Sequence, residues 1–167
     1  MKKKLYSIST ILAITAMFSL SSCLKDSKNY VNVSQSPPLA ELPLEEYYGI
    51  GNLAPISLAA STTPQVVQVA VDVAVAKALS SATTFNLAVD NAYVFPSGYS
   101  LLPAAYYSVS NWTVTVPAGQ NVAYLNINVN SSLIGTANTT YILPIKLVSS
   151  NITIDQFNEL PLNITEQ

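Results

Sequence analysis

The sequence contains no histidine and a single cysteine, Cys23, and its seven basic residues are all lysine, so arginine is missing too. Without an imidazole there is no general base for a Ser–His or Cys–His nucleophile pair. With one thiol there is neither an internal disulfide nor a thiolate cage for zinc. No Gly-x-Ser-x-Gly elbow and no glycine-rich phosphate loop occurs. No catalytic residues, no metal and no cofactor are therefore expected. The shortage of basic residues also excludes nucleic acid as a partner, because phosphate neutralisation needs clustered Lys and Arg. Charged residues make up only 10% of the chain, where helical sequences carry more Glu, Lys, Arg and Gln. Ten prolines, five glycines and many Val, Ile, Leu, Thr, Asn and Tyr suit short strands joined by turns instead.

The few positive charges are unevenly placed. Lys2, Lys3 and Lys4 precede an uncharged run from Leu5 to Leu20, and Ser21, Ser22 and Cys23 follow. A basic n-region, an apolar h-region and small residues at a cleavage point form an export signal over residues 1–22. The run of about 16 residues is diluted by Ser and Thr and falls short of the roughly 20 apolar residues of a membrane span. Leu20-Ser21-Ser22-Cys23 resembles the lipobox cut by lipoprotein signal peptidase. In it the thiol accepts diacylglycerol before cleavage, and the small side chains let the extended backbone enter the peptidase. Cys23 is thus expected to be the lipid-bearing first residue of the mature protein. Acyl chains contribute about 0.8 kcal/mol per buried methylene, enough to hold a protein on a membrane without a spanning helix. Leu24-Lys25-Asp26 resembles the short charged export signals of Bacteroidota surface lipoproteins, which implies the outer membrane and exposure at the cell surface.

Removing 22 residues leaves 145, enough for one domain with its own core. They carry Lys25, Lys28, Lys77 and Lys146 against nine acids, a side-chain balance of −5. From Cys23 to Leu44 the chain is polar, bears Pro37, Pro38 and Pro43, and has no period, so residues 23–44 read as a flexible tether. Residues 45–167 form the expected domain. Its strongest signal is the alternation of Val67, Val69, Val71, Val73 and Val75 with Gln68, Ala70, Asp72, Ala74 and Ala76. Phe85, Leu87 and Val89 read as the returning strand of a hairpin that turns over residues 77–82. Residues 91–105 carry no period. Trp112, Val114 and Val116 alternate with Thr113 and Thr115 up to a turn at Pro117-Ala118-Gly119-Gln120. Leu125, Ile127 and Val129 share one face of the next strand, and Tyr124, Asn126 and Asn128 share the other. Residues 130–140 read as a loop. Tyr141, Leu143, Ile145 and Leu147 then form a strand in which Pro144, having no N–H to donate, points to an edge or a bulge. A final strand runs from Leu160 to Thr165. Seven or eight such strands predict an all-β fold, an antiparallel two-sheet β-sandwich held by apolar burial at about 25 cal/mol per Å².

Three segments taken in order carry a family likeness: Tyr106-Tyr107-Ser108-Val109, Val114-Thr115-Val116-Pro117-Ala118-Gly119-Gln120, and Tyr141-Ile142-Leu143-Pro144-Ile145-Lys146-Leu147. Together they resemble a domain-of-unknown-function family of Bacteroidota, an N-terminal module of surface lipoproteins encoded with SusC/SusD-like glycan-uptake systems. The likeness spans roughly residues 45–165. It implies an immunoglobulin-like β-sandwich, and a partnership with polysaccharide or with other outer-membrane glycan-uptake proteins. In many relatives a second domain carries the defined activity. The sequence here ends at Gln167, and the resemblance supplies no catalytic residue.

Among the carboxylates, Asp72 and Asp90 are expected on polar faces of adjacent strands. That placement would suit a shared Ca²⁺, but two solvated carboxylates explain them more simply. Glu45 and Glu46 are likewise expected in solvent. Aromatic rings are the remaining binding material, since exposed rings stack on pyranose faces. Trp112, in phase with Val114 and Val116, is assigned to the core. Tyr93 and Tyr99 lie in the aperiodic connection, and Tyr106 and Tyr107 must face opposite ways on a strand. These four are the expected ligand-facing aromatics. The sequence thus predicts a non-catalytic, lipid-anchored binding or spacer module, with an adhesive or fibre-anchoring surface protein as the alternative.

Overall fold

The computed structural model describes residues 36–135 and 139–167, and within them two curled sheets close on one apolar core. In chain order the elements are β1 (Leu39–Glu41), α1 (Pro43–Tyr48), β2 (Ala54–Leu58), β3 (Gln65–Ala74), β4 (Thr83–Val89) and β5 (Tyr99–Leu101). A 3₁₀ turn (Ala104–Tyr106) precedes β6 (Tyr107–Ser108), β7 (Thr113–Val116), β8 (Val122–Val129) and α2 (Ser132–Gly135). β9 (Thr140–Ser150), β10 (Thr153–Ile154) and β11 (Glu159–Glu166) complete the set. One sheet has the order β10-β1-β3-β8-β6, the other β2-β11-β9-β4-β7, with β5 added along β9. No described helix is long and apolar enough to cross a membrane.

The period-two segments form the core because alternate side chains of a strand point to opposite faces. Val67, Val69, Val71 and Val73 of β3 are buried, and so are Leu125, Ile127 and Val129 of β8, to which β3 pairs antiparallel from Gln65↔Val129 to Asp72↔Val122. Phe85 and Leu87 of β4 and Val114 and Val116 of β7 face them from the second sheet. Trp112 is half-buried and packs on this core. The Pro117–Gln120 turn forms as read: Gln120 N–H donates to the Pro117 carbonyl, and Gly119 takes the positive φ of 80° that the third turn position requires.

Five expectations are corrected. β3 and β4 are not a hairpin. The 75–82 connection crosses from one sheet to the other, since β3 pairs with β1 and β8 while β4 pairs with β7 and β9. Two consecutive amphipathic strands can share a core either side by side or face to face, and their alternation is the same in both cases. The sandwich is also mixed rather than purely antiparallel, because β1–β10, β2–β11 and β5–β9 are parallel pairs. The ordered fold starts before residue 45: β1 lies between β10 and β3, and Ala40 and Leu42 are fully buried. The 130–140 loop contains α2.

Pro144, finally, sits in an interior strand. It stands directly opposite Pro161 of β11, so neither partner needs an N–H across that pair. On its other side, β9 changes neighbour from β5 (residues 140–142) to β4 (from Ile145) just where the N–H is missing. The Pro144 carbonyl still accepts from the Asp90 N–H at 2.9 Å. A proline is tolerated inside a sheet where the ladder already has a gap.

Candidate functional site

The four aromatic residues expected to face a ligand are not gathered into one site. Tyr93 is half-buried and meets Phe95 edge-on at 5.0 Å; burial and the nearby Glu159 carboxylate push its phenol pKa up. Tyr99, also half-buried, opens β5 on the outer side of β9. Tyr106 packs on the core and lies edge-on to Tyr141, 5.7 Å between centroids. Tyr107 pairs with Val129 at the end of β8, and burial raises its pKa. Cys23, Leu20, Ser21 and Ser22 lie outside the described residues.

The most exposed tyrosines among the described residues are others: Tyr47 on α1, at 79%, and Tyr124 on β8, at 55%. Tyr124 belongs to a groove of about 320 Å³ between β7 and β8, lined by Ser110, Asn111, residues 113–115 and residues 123–126. Consecutive strand residues can line one groove only if their strand edges form its walls, because their side chains alternate between faces. The pairing agrees. Toward β6, β8 is paired only at Asn128 and Val129, and β7 pairs with β4 alone, so both strands turn an unpaired edge into the groove. Such an edge presents alternating backbone donors and acceptors.

The rim side chains are held from behind. Gln68 Nε2 donates to Asn126 Oδ1 at 3.0 Å, which leaves the Asn126 amide N–H groups to point elsewhere. Asn111 Oδ1 accepts from the Thr113 N–H at 2.9 Å, and Thr113 Oγ1 donates to Asn86 Oδ1 at 2.8 Å. In the pair register Tyr124 stands opposite Ala70, so no bulky cross-strand neighbour crowds its ring. Amides, hydroxyls, strand edge and one phenol ring make up a surface without acid or base chemistry. The alternation of the sequence places Tyr124 and Asn126 together on one strand face; that β8 lacks a neighbour there is set by long-range pairing, which alternation does not encode.

Charged groups cluster elsewhere. Asp72 and Asp90 lie in opposite sheets and cannot share an ion, and no group of three or more His, Cys, Asp or Glu residues among the described residues could hold a metal. Asp90 accepts from Lys146 Nζ at 2.7 Å, which lowers its pKa. Asp72 instead faces Glu41 directly across the β1–β3 pair. Glu41 is 8% exposed, and burial, reinforced by Glu46, Asp72 and Asp155, pushes its pKa up to about 7. Burial raises Asp72 as well, and its Oδ1 is buried without a hydrogen-bond partner. Glu46 is exposed as expected. Glu45 is buried, because its Oε2 accepts from the Glu159 N–H at 2.8 Å and so ties α1 to the start of β11.

A family described as an N-terminal domain matches residues 25–154. Among solved structures, a Bacteroides ovatus protein of unknown function superposes with a TM-score of 0.59 at 18% identity, covering 79% of this chain and 47% of its own. A second Bacteroides ovatus protein, named for carbohydrate binding, gives 0.53 at 13% identity, covering 77% and 37%. EndoBT-3987 of Bacteroides thetaiotaomicron, solved with a Man5GlcNAc product, gives 0.53 at 16% identity, covering 76% and 30%. The chain spans less than half the length of each of these, and at such identities the likeness is one of fold. No curated protein matches the chain in sequence. The sandwich and the family match together place this chain in that N-terminal-domain family, a Bacteroidota family of domains of unknown function.

Proposed function

We propose that the protein is a non-catalytic module held by lipid on Cys23 at the outer face of the outer membrane, where it binds glycan for, or spaces, a glycan-acquisition system. The observation that carries the binding half is the edge-walled groove, whose one exposed ring, amides and hydroxyls suit recognition and lack the paired ionisable groups of hydrolysis. The fold likeness to a protein named for carbohydrate binding and to EndoBT-3987 supports the same setting. The lipobox supports the anchor.

Two measurements test the halves separately. Cys23→Ala should abolish palmitate labelling and release the protein from membranes, and continued labelling would refute the anchor. Affinity gels over a panel of polysaccharides, run with the chain lacking residues 1–23, should show retardation by at least one. Retardation by none would remove the binding role and leave the spacer.

A further inference from the structure

We infer that the groove between β7 and β8 takes an uncharged, extended glycan chain, with the Tyr124 ring as its stacking platform. This rests on the binding reading above and adds the chemical class of the ligand and the residue that grips it.

Three observations select that class. First, no described residue that lines the groove carries a charge to pair with a uronate or a sulfate ester. Arginine and histidine are absent from the whole chain, and of the two lysines among the described residues Lys146 is engaged by Asp90 and neither it nor Lys77 lines the groove. An anionic sugar would have to shed its water with no partner charge, on a domain whose side-chain balance is already negative. Second, the walls offer alternating backbone N–H and C=O groups together with Ser110, Thr113 and Thr115 hydroxyls and the Asn111 and Asn126 amides. A row of sugar hydroxyls, each both donor and acceptor, satisfies such a mixed lining without needing a fixed register. Third, a peptide strand hydrogen-bonded to both edges at once does not fit. Strands lie about 4.8 Å apart, so a strand bonded to both edges needs about 9.6 Å between them. β7 and β8 come within 8 Å, Cα to Cα. The volume of about 320 Å³ is at the small end for a ligand cleft and suits a short run of pyranose units crossing an open channel. Tyr124, 55% exposed at its rim, supplies the flat apolar face that the hydroxyl-lined walls lack.

The test uses affinity electrophoresis and calorimetry on the chain lacking residues 1–23. The panel comprises neutral polysaccharides (mannan, mixed-linkage glucan, xyloglucan), anionic ones (polygalacturonate, a sulfated galactan) and an extended uncharged peptide. Binding should be confined to one or more neutral polysaccharides. Tyr124→Ala should weaken it about tenfold, equivalent to about 1.4 kcal/mol. Tyr47→Ala, which removes a still more exposed ring on α1, should leave it unchanged. Circular dichroism and thermal melts of both variants control for folding. Preference for an anionic polysaccharide or for the peptide overturns the inference while leaving a binding module in place. Full affinity in a folded Tyr124→Ala variant also overturns it. No binding by any polysaccharide overturns the proposed binding role along with it.

Discussion

Raising the pH from 5 to 8 should weaken this fold, and Glu41 is the residue through which most of the effect should run. It is 8% exposed and faces Asp72 across the β1–β3 pair, with Glu46 and Asp155 also acting on it and no cation doing so among the described residues. The carboxyl therefore keeps its proton to about pH 7 in the folded state, against 4.5 when unfolded. A group that binds its proton more tightly when folded contributes stability that is complete below the unfolded value. That stability is lost as pH rises through the folded one. At about 1.36 kcal/mol per pH unit, the whole interval from 4.5 to about 7 corresponds to about 3.4 kcal/mol, of which at most about 3 kcal/mol is lost across pH 5–8. With a urea slope of about 2 kcal/mol per molar, the midpoint should fall by up to about 1.5 M. Asp72, Glu45 and Glu159 are raised too and tilt the curve the same way, whereas Asp90, which is lowered, matters only near and below its ordinary range. Glu41→Gln keeps the shape and removes the charge, so its urea midpoint should change far less between the two pH values. An unchanged slope in Glu41→Gln, or a wild-type chain more stable at pH 8 than at pH 5, would refute the reasoning.

Two further perturbations probe polar contacts away from the groove. Ser131 is fully buried; its Oγ accepts from the Ser61 N–H and from Gln65 Nε2 and donates to the Ala59 carbonyl. Ser131→Ala should cost about 1 kcal/mol in chemical denaturation, because the part-buried Ser61 N–H and Gln65 amide lose an acceptor. Lys146 meets Asp90 at 2.7 Å and Glu159 at 3.6 Å on a partly exposed face. Lys146→Met should raise the pKa of both acids in a carboxyl NMR titration while shifting stability by less than about 1 kcal/mol.

The strands themselves were legible wherever one face meets the core and the other meets water. Val67 to Val73, Leu125 to Val129 and Val114 to Val116 alternate because the sandwich buries them on one side only. What alternation does not encode is the neighbour. The hairpin expected for β3 and β4 and the edge or bulge expected at Pro144 both fail on partner choice, which long-range pairing decides. β1 and the first two residues of α1 read as tether because Ala40 and Leu42 are too few to set a period, and their burial comes from contacts with Val73 and Phe157, distant in sequence. The site followed the same rule. Tyr124 was assigned to the correct face, but its importance depends on β6 stopping after two residues. Tyr93 and Tyr99, which read as exposed for want of any period, are half covered: Tyr93 meets Phe95, and Tyr99 belongs to a short strand paired with β9.

The position of β11 has a consequence for how the sandwich is made. It is an interior strand of its sheet, hydrogen-bonded to β9 on one side and to β2, more than a hundred residues earlier, on the other. Until residues 159–166 are available, β2 has no partner and β9 has one side open, so that half of the sandwich cannot close while the chain is still emerging. Pairings of such sequence separation also place folding among the slower topologies. A chain that stays open until its late strand arrives suits the proposed export, which requires an unfolded polypeptide.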